Sequence, residues 1–290
     1  MTRLEVTKTH KLYIKGAFPR SESGRSLPVA DAKGKVYAHM SHASRKDLRD
    51  AVTAAQGALP GWKARVAYNR GQILYRMGEM LEGKGEEFAK AIRDVQGVDL
   101  RNARKEVSAS ADRLVAYAGW ADKFQQVLGC NNPVAGPHYN FSVPEATGVI
   151  CVVAPDEPSL LGLVSLIAPA LCAGNTIVAV GSETNPVPTS LLGEVCATSD
   201  VPAGVLNLLT GQREELIPHI AGHRDIDGVF SANLPATQAK ALRAGMAENV
   251  KRVRTITVDA DGWTDPGVSE TPWWIEPFVE IKTIWHPAAS

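Results

Sequence analysis

Apolar residues recur at helical spacing through the first part of the chain. Ser44 and Asp47 form a capping-box pattern, and Leu48, Val52, Ala55 and Leu59 follow on one face until Pro60-Gly61. A second helix is predicted over Ile73, Leu74, Met77, Met80 and Leu81, stopping at Gly83, and a third over Phe88, Ile92 and Val95, stopping at Gly97. A longer fourth carries Val107, Leu114, Val115, Ala118, Ala121 and Phe124. From Asn140 the period changes. Apolar runs of strand length at residues 148–154, 176–180, 205–209 and 226–230 alternate with helix-like segments, and residues 253–258 form a candidate fifth strand. Strands joined by helical crossovers make a parallel sheet with helices on both faces. The expected class is therefore α/β: a Rossmann-like parallel sheet behind a helical amino-terminal layer.

Two stretches need separate treatment. Residues 158–182 hold no charge, but Pro169 interrupts the run and Ala173-Gly174-Asn175 is a helix stop, so a buried helix feeding a buried strand is predicted rather than a membrane span. After the Gly/Asp/Pro-rich residues 259–272 comes Trp273-Trp274-Ile275, and then residues 278–285 alternate as a strand. A terminal strand needs a sheet to join, and the candidates are residues 139–143 or an edge on another subunit.

Composition narrows the function classes. Lys+Arg and Asp+Glu are equal at 31 each, so charge gives no reason to expect nucleic acid as a partner. The four cysteines, Cys130, Cys151, Cys172 and Cys196, form no C-x-x-C pair and no dense framework, and no secretory leader is visible, so a reduced cytoplasmic setting is expected. No G-x-G-x-x-G follows a predicted strand, and Gly78 to Gly85 only approximates a P-loop, without its Ser/Thr or a preceding strand. His219 and His223 have the spacing of a shared metal but lack a third ligand and read as surface histidines, and His39 and His42 read the same way. Asp156-Glu157 follows a buried strand, where α/β sheets place active sites, yet the pair reads as a solvated loop rather than an acid/base couple.

The entry Lys11-Leu12-Tyr13-Ile14-Lys15-Gly16, the helix end Leu59-Pro60-Gly61-Trp62 and the segment Tyr117-Ala118-Gly119-Trp120 resemble the aldehyde dehydrogenase superfamily in order and kind. The specific part is residues 144–211, with P-x-x-x-G-V-I-x-V-V-A-P, I-A-P-A-L-x-A-G-N-T-I-V and V-P-A-G-V-L-N-L-L-T-G. The tail 279–285 looks like the family's carboxy-terminal oligomerisation strand, which implies a small β-flap with residues 137–144. Three units are expected: a dinucleotide-binding-type domain over 1–258, a bridge over 259–272, and an oligomerisation strand over 273–290.

The resemblance implies NAD or NADP as cofactor, with Ser182, Glu183 and the Gly211 turn as vestigial cofactor-binding positions. The family's ribose-binding Lys is replaced by Val180 and its oxyanion-stabilising Asn by Glu157. Residues 259–272 stand where the family has its general-base segment and a catalytic domain bearing the nucleophilic Cys. No catalytic residue and no metal ligand is assigned, and cofactor binding is expected to be weak or lost. The pattern is similar to the non-catalytic second domain of two-domain aldehyde dehydrogenases. It implies a catalytically inactive protein that assembles with itself or with a full-length aldehyde dehydrogenase through its carboxy-terminal strand. The alternatives are an NAD(P)-dependent aldehyde dehydrogenase completed by a partner's Cys, and an NAD-binding sensor built on Glu183 and Gly211.

Overall fold

The computed structural model describes residues 6–288. Its entry segment forms a small sheet of β1 (Lys8–His10), β2 (Ser26–Ala30) and β3 (Val36–Ser41). Helix α1 (Arg45–Lys63) starts at the expected capping box, in which Ser44 Oγ accepts the Asp47 N–H and the Asp47 carboxylate accepts the Ser44 N–H. It does not stop at Pro60. Proline removes one intrahelical donor in the last turn, but Trp62 is buried and its indole N–H donates to the Leu171 carbonyl, which holds that turn in place.

Helices α2 (Ala67–Gly83), α3 (Gly85–Gln96), α4 (Leu100–Trp120) and α5 (Phe124–Leu128) follow. Gly97 closes α3 in the left-handed conformation, with φ of 71°. The P-loop-like residues 78–85 lie across the α2–α3 junction, with no strand before them.

The flap strands β4 (Cys130–Asn132) and β5 (His138–Ala146) lead into the main sheet of β6 (Val149–Val153), β7 (Thr176–Val180), β8 (Leu206–Leu209), β9 (Gly228–Ala232) and β10 (Arg252–Ile256). The order is β10-β9-β6-β7-β8, parallel throughout. Helices α6 (Leu161–Cys172), α7 (Val187–Ala197), α8 (Arg213–Gly222), α9 (Ala236–Ala244) and the short α10 (Met246–Asn249) complete the crossovers.

Alternate strand residues feed two cores, as the period of two requires. Ile150, Val152, Ile177, Leu206 and Phe230 pack with residues of α2, α3, α4, α6 and α7. Val149, Cys151, Val153, Val178 and Val229 pack with residues of α1, α8 and α9. Chain order reverses between β6 and β9, where open α/β sheets form a crevice at the strands' carboxyl ends. Among the described residues no helix is long and apolar enough to cross a membrane.

Residues 259–272, expected as a plain bridge, form two short helices, α11 (Ala260–Thr264) and α12 (Pro266–Ser269). Asp259 and Asp265 cap them through the Gly262 and Gly267 amides. The carboxy-terminal strand does not begin at 273: two 3-10 turns, Pro272–Trp274 and Glu276–Phe278, come first, and β11 runs over Val279–Pro287. Buried Ile275 and Phe278 draw those turns onto the core instead of letting them extend the strand. β11 pairs antiparallel with β5 over nine registered residues, Val279 opposite Ala146 through Pro287 opposite His138, and β4 lies on the other side of β5.

Candidate functional site: the carboxyl edge of the sheet

Arg213 organises the crevice at the strand ends. It is the first residue of α8, where the helix macrodipole disfavours a cation, and it is nonetheless only 2% exposed. The reason is Asp156, which follows β6. The Arg213 guanidinium donates to both Asp156 carboxylate oxygens at 2.9 Å and to the Ala154 carbonyl at 2.7 Å. A bidentate, charge-assisted pair of this kind is among the strong polar contacts available to a protein.

Asp156 also accepts from the backbone amides of Glu183 at 2.9 Å and Thr184 at 3.4 Å. Its burial pushes the carboxyl's pKa upward, but the Arg213 charge and hydrogen bonds together with those amides outweigh burial and hold it below 3.8. The stability this carboxylate contributes is in place above its unfolded pKa and is lost as pH falls through the lower folded value. Urea midpoints measured downward from about pH 5 to pH 2 are expected to fall more steeply for the native chain than for Asp156→Asn.

The three residues expected to be vestigial cofactor contacts all lie at this edge, and all are engaged within the chain. Ser182 Oγ donates to the Asp156 carbonyl at 3.0 Å and accepts the Asn185 amide at 3.0 Å. The Glu183 carboxylate accepts the Arg213 backbone N–H, so it supplies the cap that Gln212 does not give α8. Gly211 presses against the loop before α1: a Cβ there would lie 3.0 Å from the His42 ring and 3.2 Å from the Ala43 nitrogen.

Glu157 is exposed, as expected of a solvated loop, whereas Asp156 is not such a residue, because Arg213 anchors it. Beside them Glu106 of α4 accepts the Leu160 and Leu161 amides at 2.8 and 3.3 Å. Burial raises its pKa despite those bonds, and nearby Glu157 raises it further. The carboxylates of Asp156, Glu157 and Glu183 thus gather at this edge, with Asp156 and Glu183 both bonded to Arg213.

The sequence reading missed Arg213. Its one local signal was a cation in the first turn of a helix, which calls for an acidic partner from elsewhere in the chain.

The other candidates fall apart spatially or chemically. His223 lies just past the end of α8, and its ring nitrogen Nδ1 accepts the Asp225 amide at 3.2 Å. His42, expected at the surface, is instead buried, 3.6 Å from the Glu215 carboxylate, and burial lowers its pKa. No group of three or more His, Cys, Asp or Glu among the described residues could hold a metal ion. Cys151, Cys172 and Cys196 are fully buried, and Cys130 is exposed on the flap strand β4 rather than at the sheet's carboxyl edge.

Comparison with known proteins places this architecture. The sequence model of the aldehyde dehydrogenase family matches residues 19–255. The chain is 30% identical over 263 residues to aldehyde dehydrogenase family 2 member B4, mitochondrial, of Arabidopsis thaliana, an alignment covering 89% of this chain and 48% of that protein. It is 31% identical over 270 residues to 2-hydroxymuconic semialdehyde dehydrogenase of Pseudomonas sp. strain CF600, covering 88% and 53%. Among solved structures, the NAD+ complex of aldehyde dehydrogenase from Bacillus cereus matches with a TM-score of 0.82 at 25% identity, over 86% of this chain and 51% of that one. The chain spans about half the length of the curated relatives it matches. The sheet, its helical layers and a family match over most of the sequence agree: the chain belongs to the aldehyde dehydrogenase family.

Proposed function

We propose that this chain is a non-catalytic member of the family whose work is assembly, with a second copy of itself or with a full-length aldehyde dehydrogenase, in the cytoplasm. The observation that carries this reading is the flap. β11 is hydrogen-bonded to β5 along one side only, and in the three-stranded order β11-β5-β4 its outer side is an edge. That strand exposes Ile281 and Trp285, and its neighbour exposes Tyr139 and Phe141. A nine-residue edge with exposed apolar side chains is a template for strand addition.

The sheet's carboxyl edge supports the non-catalytic part. Ser182, Glu183 and Gly211 are spent on intrachain contacts, which favours weak or lost NAD(P) binding. Four free cysteines suit a reducing compartment.

Light scattering on the size-exclusion peak tests the reading. The native chain is expected to run above its monomer mass of 31.1 kDa, and Ile281→Glu with Trp285→Glu is expected to return it to that mass without loss of helical signal. A native chain that stays monomeric at every concentration, and that fails to co-elute with a coexpressed full-length aldehyde dehydrogenase, would end the proposal.

A further inference from the structure

Two groups at the carboxyl edge of the kinds that hold a dinucleotide are bonded to each other. The first backbone amides of a helix form an anion site, and an acidic side chain at such a sheet edge takes ribose hydroxyls. In this chain the first amide of α8 is donated to Glu183, the acidic side chain of that edge. The edge in front of them is crossed as well, because the Arg213 side chain, which follows β8, reaches over the carboxyl end of β7 to Ala154 and Asp156 after β6.

We propose that Arg213 is a built-in obstacle to a nucleotide: clamped by Asp156 and the Ala154 carbonyl, it covers the carboxyl ends of β6, β7 and β8 beside the β6/β9 switch point and excludes dinucleotides. This deepens the cofactor side of the non-catalytic reading and rests on it; the assembly side stands or falls separately, by the mass measurement above.

Three features agree with a clamp rather than an idle ion pair. It ties three strand ends together, since Asp156 follows β6, its carboxylate also holds the amides of Glu183 and Thr184 after β7, and Arg213 follows β8. The guanidinium is buried while its partner is about 39% exposed, so the cation is the part that covers the strand ends and the carboxylate forms its rim. The rim also has the wrong charge for a pyrophosphate, with the carboxylates of Asp156, Glu157 and Glu183 against a single guanidinium that Asp156 already neutralises.

Calorimetric titration of the full chain with NAD+ and with NADP+ decides the matter. The native chain is expected to give no saturable heat up to several millimolar. Arg213→Gly combined with Asp156→Asn, which removes the side chain and the carboxylate that would be left unpaired, is expected to bind at least one of the two cofactors at least ten-fold more tightly than the native chain. Arg213→Gln, which shortens the side chain and removes its charge, is expected to lie between them and serves if the double variant does not fold. Hydrogen exchange at the Arg213 amide supplies a reading on the native protein, where millimolar cofactor is expected to leave protection unchanged. Saturable binding by the native chain below 1 mM would overturn the proposal. So would a variant with native circular dichroism and no gain in binding. Loss of the clamp with unchanged oligomer mass would leave the assembly reading intact; a monomeric native chain that still excludes cofactor would remove assembly and keep the clamp.

Discussion

Replacing Arg113 by alanine is expected to destabilise the fold by about 3–5 kcal/mol, the range seen when one partner of a buried ionic contact is removed. Arg113 projects from α4 and is only 1% exposed. Its guanidinium donates to the Trp263 carbonyl at 2.7 Å, to the Glu270 carboxylate at 3.4 Å and to the Ser165 hydroxyl, so a single side chain pins residues 263–270 to α4 and α6. Tyr117 and Trp120 of the same helix add bonds to the Ser269, Thr271 and Glu270 carbonyls. What they hold down is apolar: Trp263 stacks edge-on to Trp274 at 6.0 Å, Trp274 to Phe230 at 5.8 Å, and Phe230 lies 4.7 Å from Phe278.

Loss of Arg113 takes the cationic partner from Glu270, leaves the Trp263 carbonyl to the longer 3.4 Å bond from the Ser269 hydroxyl, and loosens the cover over these rings. Urea denaturation measures the loss, and limited proteolysis within residues 259–272 is expected to quicken with it. Arg113→Met, which keeps the aliphatic stem, is expected to recover less than half of the stability, because the hydrogen bonds rather than the packed methylenes do most of the holding. A midpoint shift worth under about 1 kcal/mol in the alanine variant would mean that the cover is held by packing alone.

This cover is also where the sequence was least legible. The parallel strands announce themselves, because burial on both faces requires continuous apolar runs, and β6, β7, β8 and β9 lie within or close to the runs that predicted them. The capping box at Ser44 and the left-handed Gly97 are local signals of the same kind. Residues 259–272 carry Gly, Asp and Pro, which read as loop, although Asp259 and Asp265 are N-caps of very short helices whose order comes from α4, about 150 positions away in sequence. No periodicity records a contact of that separation.

The clamp at the sheet edge was hidden for the same reason: Asp156 and Arg213 are 57 positions apart, and each taken alone looks like an ordinary surface charge. Pro60 misled in the opposite direction, since a local helix breaker was overridden by the burial of Trp62 two residues later.

In the folded chain, one thiol in four is expected to react with a disulfide reagent at neutral pH, and the other three only after denaturation. Thiol attack requires thiolate. Burial pushes the Cys151 pKa up to about 12, partly opposed by the Lys251 charge, and pushes Cys172 and Cys196 higher still. At pH 7 a pKa of 12 leaves a thiolate fraction of about 10⁻⁵, and each of these sulfurs is also shut away from the reagent in β6, α6 or α7. Rates at least a thousand-fold below that of exposed Cys130 are expected for all three, read as one fast equivalent followed by three that appear with the unfolding transition.

The same experiment bears on chemistry. Aldehyde oxidation through a hemithioacetal needs a thiolate beside the cofactor's reactive carbon. Cys130 sits on β4 of the flap, which joins the main sheet at the amino end of β6, opposite the carboxyl edge, and the buried thiols are shut away from an aldehyde. An aldehyde-dependent rise in NADH from the isolated chain, or a second fast thiol in the native state, would show that one of these sulfurs is reached after all, and the family's chemistry would then have to be sought at Cys151, the one buried cysteine carried by a central strand of the sheet.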